Sequence, residues 1–194
     1  MLRIIIFASG SGTNAENIIE YFRNSDLAVV SYVVTNNPKA GVIERASRLG
    51  IPSKIFSKQE IHKPEFLNFL KNNADFIVLA GFLLKIPDQM IHDFPNTIVN
   101  IHPALLPKYG GKGMYGMHVH RSVVENQEPK SGITIHYVNE NYDEGAIIFQ
   151  KSVDLISDDT PDDVRASRLA LAELALRQLE DGLNILGIEA PERM

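Results

Sequence analysis

The chain has no cysteine, which excludes disulfides and thiolate metal sites and agrees with a reducing compartment. It has no uninterrupted apolar run of bilayer-spanning length. The N-terminal MLRIIIFASG turns to Gly and Ser too soon to cross a membrane and carries no signal-cleavage pattern. Strong charge is also missing. A formal net charge of -5 over 194 residues gives no reason to expect nucleic acid or an anionic membrane as partner. No internal repeat or low-complexity segment interrupts the chain. No G-x-S-x-G nucleophile elbow occurs, so with cysteine absent too, a covalent acyl-enzyme is poorly supported. The expectation is a soluble cytoplasmic protein with a single domain over 1–194, acting on small molecules as a monomer or homodimer.

What is present is an alternation of strands and helices. LRIIIFA (2–8) is a β-branched run of the kind that is covered on both faces. Residues 14–24 place Ile18, Ile19 and Phe22 at helical spacing. A second buried strand is expected over 27–35, a helix over 41–50 closed by Gly50, and another over 63–73 with Pro64 in its first turn. Strands follow at 76–82 and 97–102, a helix at 117–126, two strands at 131–138 and 146–153, and a long helix over 160–186 opened by Thr160 and Pro161. This order predicts an α/β fold, with a mostly parallel central sheet, helices on both faces and an antiparallel C-terminal element.

The turn ASGSGTNAEN joins the first strand to the first helix. Gly10-x-Gly12-x-x-Ala15 fits a relaxed dinucleotide fingerprint, but the second strand ends VVTNNP, without the acid that holds a ribose. The lysine of a phosphate-binding Walker loop is missing as well. A phosphate still suits glycines at a helix start, with Ser9, Ser11, Thr13 and Asn14 as further donors. A capped turn without ligand fits equally.

In TIVNIHPA, Asn100 and His102 alternate with aliphatics and face one way at a strand end, where α/β sheets bind ligands. Pro103 ends the strand. NENYDEG places Asp143 in a polar loop between two apolar strands. An amide donor, an imidazole and a carboxylate brought together suit a reaction through a tetrahedral oxyanion, with a substrate amine attacking an acyl donor directly. Each of the three also has an ordinary structural reading. His118 and His120 form H-x-H, but on a helix they lie on different faces, so no metal site is expected.

FASGSGTN, VLAGF, NIHPALLPKY, HVHRSV and YDEGAIIFQ occur in the order found in the phosphoribosylglycinamide formyltransferase family, and the chain resembles that family from Leu2 to Val153. The resemblance implies a Rossmann-like formyltransferase fold. It implies transfer of the formyl group of 10-formyltetrahydrofolate, a cosubstrate, to the amine of glycinamide ribonucleotide, without a metal. Asn100, His102 and Asp143 match the family's catalytic set. Gly12, Thr13 and Asn14 match its substrate-phosphate loop, and Lys63 falls near a position usually held by a phosphate-contacting Arg. Ile101, Pro103 and Glu173 are the other expected substrate contacts. The folate segments correspond to Phe82, Leu83, Leu84, Lys85 and Ile86, and to Val138, Asn139, Glu140 and Asp143. Leu83 and Leu84 stand where the family often has Met-Arg. The turn LLPKY is expected to contain a cis Leu106–Pro107 bond, and the glycines of 110–116 to leave that segment mobile until substrates bind. Formyl transfer to another amine, hydrolysis of the formyl folate, and a non-catalytic nucleotide-binding homologue are the competing readings.

Overall fold

The structure, a computed structural model, describes residues 1–167. Seven strands form one sheet in the order β3-β2-β1-β4-β5-β6-β7. Their ranges are β1 Leu2–Phe7, β2 Ala28–Thr35, β3 Ser53–Ile55, β4 Phe76–Leu79, β5 Ile98–His102, β6 Lys130–Tyr137 and β7 Ile147–Asp154. The first five lie parallel, β6 is added antiparallel to β5, and β7 antiparallel to β6.

The central strand explains the apolar run. Along β1, Ile4 and Ile6 join one buried cluster while Ile5 and Phe7 join another. The helices α1 (Thr13–Phe22) and α2 (Val42–Arg48) cover the first face with Ile18, Ile19, Phe22, Val42 and Ala46. The helices α3 (Pro64–Asn73) and α4 (Asp88–Asp93) cover the second with Phe66, Leu70 and Met90. Phe7 has T-shaped contacts with Phe66 and Phe82, at centroid separations of 6.3 and 5.1 Å. Burying one such side chain stabilises the fold by about 1.5–3 kcal/mol. A fifth helix, α5 (Met117–Glu125), buries Val119, His120 and Val123.

The elements read from the sequence are present, with shifted ends. Gly50 follows α2 at φ 76°, and Pro64 opens α3. The strand expected over 76–82 stops at Leu79 because the chain turns at Gly81, φ 77°. Thr160 and Asp163 exchange capping hydrogen bonds, and residues 161–167 are helical. The rest of the helix expected over 160–186 lies outside the described residues. The sequence reading missed β3, α4 and a 3-10 turn at Glu60–His62. Each is short, and α4 buries only Met90, so none carries a periodic signal. The Leu106–Pro107 bond is cis. Among the described residues no helix is long and apolar enough to cross a membrane.

Because β1 lies between β2 and β4, the chain winds outward to β3 and then returns to the other side of β1. The crevice at that reversal, beyond the carboxyl ends of β1 and β4, is where such sheets place ligands. Gly12 shapes its first wall. Its φ is 80°, and a Cβ there would lie 2.5 Å from the Cβ of Val42. Gly12→Ala is expected to cost about 1–3 kcal/mol through left-handed strain and displacement of α2, measured by urea unfolding; unchanged stability would contradict this packing.

Candidate active site

The carboxyl ends of β1, β4 and β5 open onto one cleft of about 730 Å³, a normal size for a small-molecule site. Its polar wall is the β1–α1 turn, including Gly12, Thr13 and Asn14. Asn14 Oδ1 is buried there with no partner, so the turn has an unused hydrogen-bonding atom. Ser9 plays a structural part instead. Its hydroxyl donates to Asn36 Oδ1 at 2.7 Å and accepts from the Leu83 N–H at 3.1 Å. Asn36 and Asn37, where a dinucleotide site would have an acid, both bond Ser9. Arg45 and Arg48 approach the turn from α2 but are paired with Glu16.

The apolar wall comes from the β4–α4 segment, where Phe82, Leu83, Leu84, Lys85 and Ile86 all line the cleft. Phe82 packs against Phe7 and Phe56. Leu83 is half exposed, and Lys85 reaches outward to Asp88 at 3.2 Å. Val138 and Asn139 face this wall from the end of β6. Glu140 does not line the cleft: Asn139 Oδ1 accepts the Asn141 N–H at 3.1 Å and the intervening residue turns out to solvent. Lys63 is also outside the cleft, exposed at the N-cap of α3. Glu173 lies outside the described residues.

Asn100, Ile101, His102 and Pro103 form the floor, and Asp143 comes down beside them from the β6–β7 loop. Three nitrogens converge on Asp143 Oδ1: Asn100 Nδ2 at 3.2 Å, His102 Nδ1 at 3.5 Å and His136 Nε2 at 3.5 Å. The other oxygen accepts the Gly111 N–H at 2.9 Å. Burial opposes ionisation of Asp143. The hydrogen bond and the charge of His102 and the Gly111 N–H outweigh it, and hold this carboxylate well below the usual range.

His136 was not singled out in the sequence. The antiparallel register pairs it directly with Asn100, and it is 2% exposed. Its Nδ1 lies 2.8 Å from the Tyr137 carbonyl. A carbonyl only accepts, so Nδ1 carries a proton, and in the neutral ring Nε2 is the acceptor. Asn100 Nδ2 donates to it at 3.1 Å. Asn100 therefore spends both amide hydrogens, one on His136 and one on Asp143. Gly145 makes room for the arrangement. A Cβ there would fall 1.7 Å from the Tyr137 oxygen, which is why Asp143 is followed two residues later by glycine.

His102 is 3% exposed. Its Nε2 donates to the Tyr109 carbonyl at 2.8 Å, so protonation of Nδ1 is what completes the bond to Asp143. The result is an amide, an imidazole and an ionised carboxylate side by side, in one cleft with a glycine-rich helix start. That set can stabilise an oxyanion and move a proton. His118 and His120 point apart, as expected: His118 stacks edge-on with Tyr115 and His120 is buried against the cleft. Among the described residues no group of three or more His, Cys, Asp or Glu is arranged to hold a metal ion.

The formyl transferase family model matches residues 2–178. The chain is 37% identical over 204 aligned residues to the Arabidopsis thaliana protein named phosphoribosylglycinamide formyltransferase, chloroplastic, covering 95% of this chain and 70% of that one. It is 38% identical to the Vigna unguiculata protein of the same name, covering 84% of this chain and 55% of that one. Among solved structures, glycinamide ribonucleotide transformylase 1 from Symbiobacterium toebii superposes with a TM-score of 0.83 at 30% identity, covering 92% of this chain and 86% of the other.

The low-lying titration of Asp143 has a checkable consequence. With its folded pKa depressed, Asp143 adds stability that is present above the ordinary carboxylate pKa and is lost as pH falls through the folded value. Its carboxyl 13C resonance is expected to report the ionised form at about pH 4, where an ordinary aspartate is near half-titrated. Half-protonation there would contradict the network.

Proposed function

The chain belongs to the formyl transferase family, and from that premise we propose that it transfers the formyl group of 10-formyltetrahydrofolate to the amine of glycinamide ribonucleotide, a step of purine biosynthesis. It is a folate-dependent formyltransferase. The observation that carries the reading is the meeting of Asn100, His102 and Asp143 in the cleft that also holds the Gly12–Asn14 turn.

The two walls divide the substrates. The phosphate of the amine substrate sits on the α1 N-terminus, where Thr13, Asn14 and the free N–H groups favour an anion. The folate lies along Phe82–Ile86 and Val138–Asn139, which supply an apolar surface with a few polar points. Ile101 and Pro103 close the floor between them. Binding both in one cleft brings the amine to the formyl carbon and removes much of the entropic barrier.

Attack by the amine lone pair forms the new C–N bond and moves the carbonyl pair onto oxygen. In the free protein Asn100 Nδ2 spends its hydrogens on Asp143 and His136, so one of them turns from the carboxylate to the new oxyanion, and the Nδ1–H of protonated His102 is shared between Asp143 and that oxygen. Collapse breaks the bond from the formyl carbon to N10 of the folate. N10 gains a proton as the amine nitrogen loses one, and Asp143 with His102 carries that proton across. Asp143 also offsets the imidazolium charge throughout. His136 keeps the Asn100 amide aimed.

No helix of the described residues is long and apolar enough to cross a membrane, and the absence of cysteine supports a cytoplasmic location.

Asp143→Asn separates a chemical role from a structural one. Asp143 has φ 57°, a conformation that Asn also adopts readily, so the fold is retained. kcat is expected to fall about a hundredfold or more, while KM for the phosphorylated amine changes much less. Near-wild-type kcat in a stable variant would refute the assignment. Replacing Thr13 and Asn14 with Ala should raise KM for glycinamide ribonucleotide about tenfold or more and leave an unphosphorylated glycinamide nearly unaffected. Equal effects on both amines would favour formyl transfer to a different acceptor.

A further inference from the structure

The His102 ring is gripped at two points. One is Asp143. The other is the Tyr109 carbonyl, which accepts from Nε2 at 2.8 Å, and Tyr109 itself does not line the cleft.

Tyr109 sits in a left-handed backbone conformation, φ 57°. A bulky aromatic residue adopts it only when its surroundings impose it. Here the imposing contacts are visible. The phenol donates to Glu128 Oε1 at 2.9 Å and accepts from Asn126 Nδ2 at 3.0 Å. Asn126 caps α5, and Glu128 lies in the α5–β6 connection with its N–H on the Val123 carbonyl. Lys108 holds the same carboxylate at 2.9 and 3.2 Å. Burial, and beyond it the Glu128 carboxylate, keeps the phenol protonated, and Lys108 first, then Tyr109, keep Glu128 ionised.

We propose that Tyr109 is a positioning residue for His102, braced by Glu128. The phenol–Glu128 bond fixes the Tyr109 backbone so that its carbonyl takes the Nε2 proton, and this sets the ring with Nδ1 toward Asp143. The brace rests on the catalytic reading of His102, but it acts on the free protein and needs no substrate to be seen.

The experiment uses the full chain and four variants: Tyr109→Phe, Glu128→Ala, Glu128→Gln and Lys108→Ala. The readouts are kcat, KM for each substrate, thermal stability, and the His102 ring N–H resonances in 1H–15N spectra. In the wild type the His102 Nε2–H signal should be sharp. Tyr109→Phe and Glu128→Ala should broaden it by exchange with water and lower kcat about tenfold, with KM changed by no more than about twofold. Glu128→Gln keeps an acceptor for the phenol and should restore both the signal and kcat. Lys108→Ala, at an exposed position, should leave both intact.

Wild-type kcat in Tyr109→Phe would overturn the proposal. So would a lower kcat with an unchanged Nε2–H signal, since that pattern belongs to a loss of stability alone. A Lys108→Ala variant that behaves like Glu128→Ala would assign the effect to the ion pair and overturn the brace. If Tyr109→Phe does not fold, the two Glu128 variants decide by the same readouts. A wild type inactive on these substrates, whose Nε2–H signal still broadens in Tyr109→Phe, would support the brace and overturn only the choice of substrates.

Discussion

A buried anion has to be surrounded by donors, or it protonates or opens the fold. Asp143 is the anion on which this site depends. Its donors come from separate parts of the chain, Asn100 and His102 from β5 and the Gly111 N–H from the glycine-rich segment, while His136 from β6 holds the Asn100 amide. The antiparallel addition to the sheet is therefore not decoration. Only β6 paired to β5 in the observed register sets the His136 imidazole opposite the Asn100 amide and Thr134 opposite His102. The parallel half supplies the crevice, and the antiparallel half supplies the hydrogen bonds that hold the crevice residues in one orientation.

The same logic explains how the chain leaves the site. Thr134 donates to the Ala104 carbonyl at 2.7 Å and accepts from the Leu106 N–H at 3.1 Å, while Gln150 donates to the Leu106 carbonyl at 2.9 Å. The turn after His102 is thus bolted to β6 and β7 before the glycines begin. Gly111, Gly113 and Gly116 all have positive φ. A rigid start and a permissive continuation put the imidazole on fixed backbone and leave the cleft's rim on the segment that is cheapest to rearrange.

Much of this was legible in the sequence, and the reasons differ by element. The run IIIF in β1 read correctly because both faces of that strand are buried, and no alternation is possible. Asn100 and His102 were legible because polar residues at every second position of an apolar strand have few structural explanations. His136 interrupts ITIHYV in the same way, but its meaning depends on pairing with Asn100, and cross-strand register is a tertiary fact. Tyr109 was hidden for a related reason: it acts through its backbone carbonyl, which every residue type has. Lys63 shows the opposite limit. Position along the chain suggested a phosphate contact, whereas its place as the exposed cap of α3 follows from where that helix packs.

Neutral groups dominate the polar wall. Arg45 and Arg48 stand near the β1–α1 turn, but Glu16 takes their charge, and the Arg45 Nε–H donates to the Ser11 carbonyl at 2.9 Å. Those cations frame the turn and do not face an incoming anion as free charges. What the turn offers is the unbonded N–H groups of α1 with the hydroxyls of Ser11 and Thr13, 3.4 Å apart. Such donors act over hydrogen-bond distances, whereas a lysine or arginine attracts any anion within a Debye length. A phosphate held this way would be selected by the geometry of its oxygens rather than by charge alone. Lys85, Lys112 and Arg165 line the same cleft, but the nitrogens that meet the carboxylate of Asp143 are those of Asn100, His102 and Gly111, so Asp143 keeps the His102 ring and the Asn100 amide as its partners.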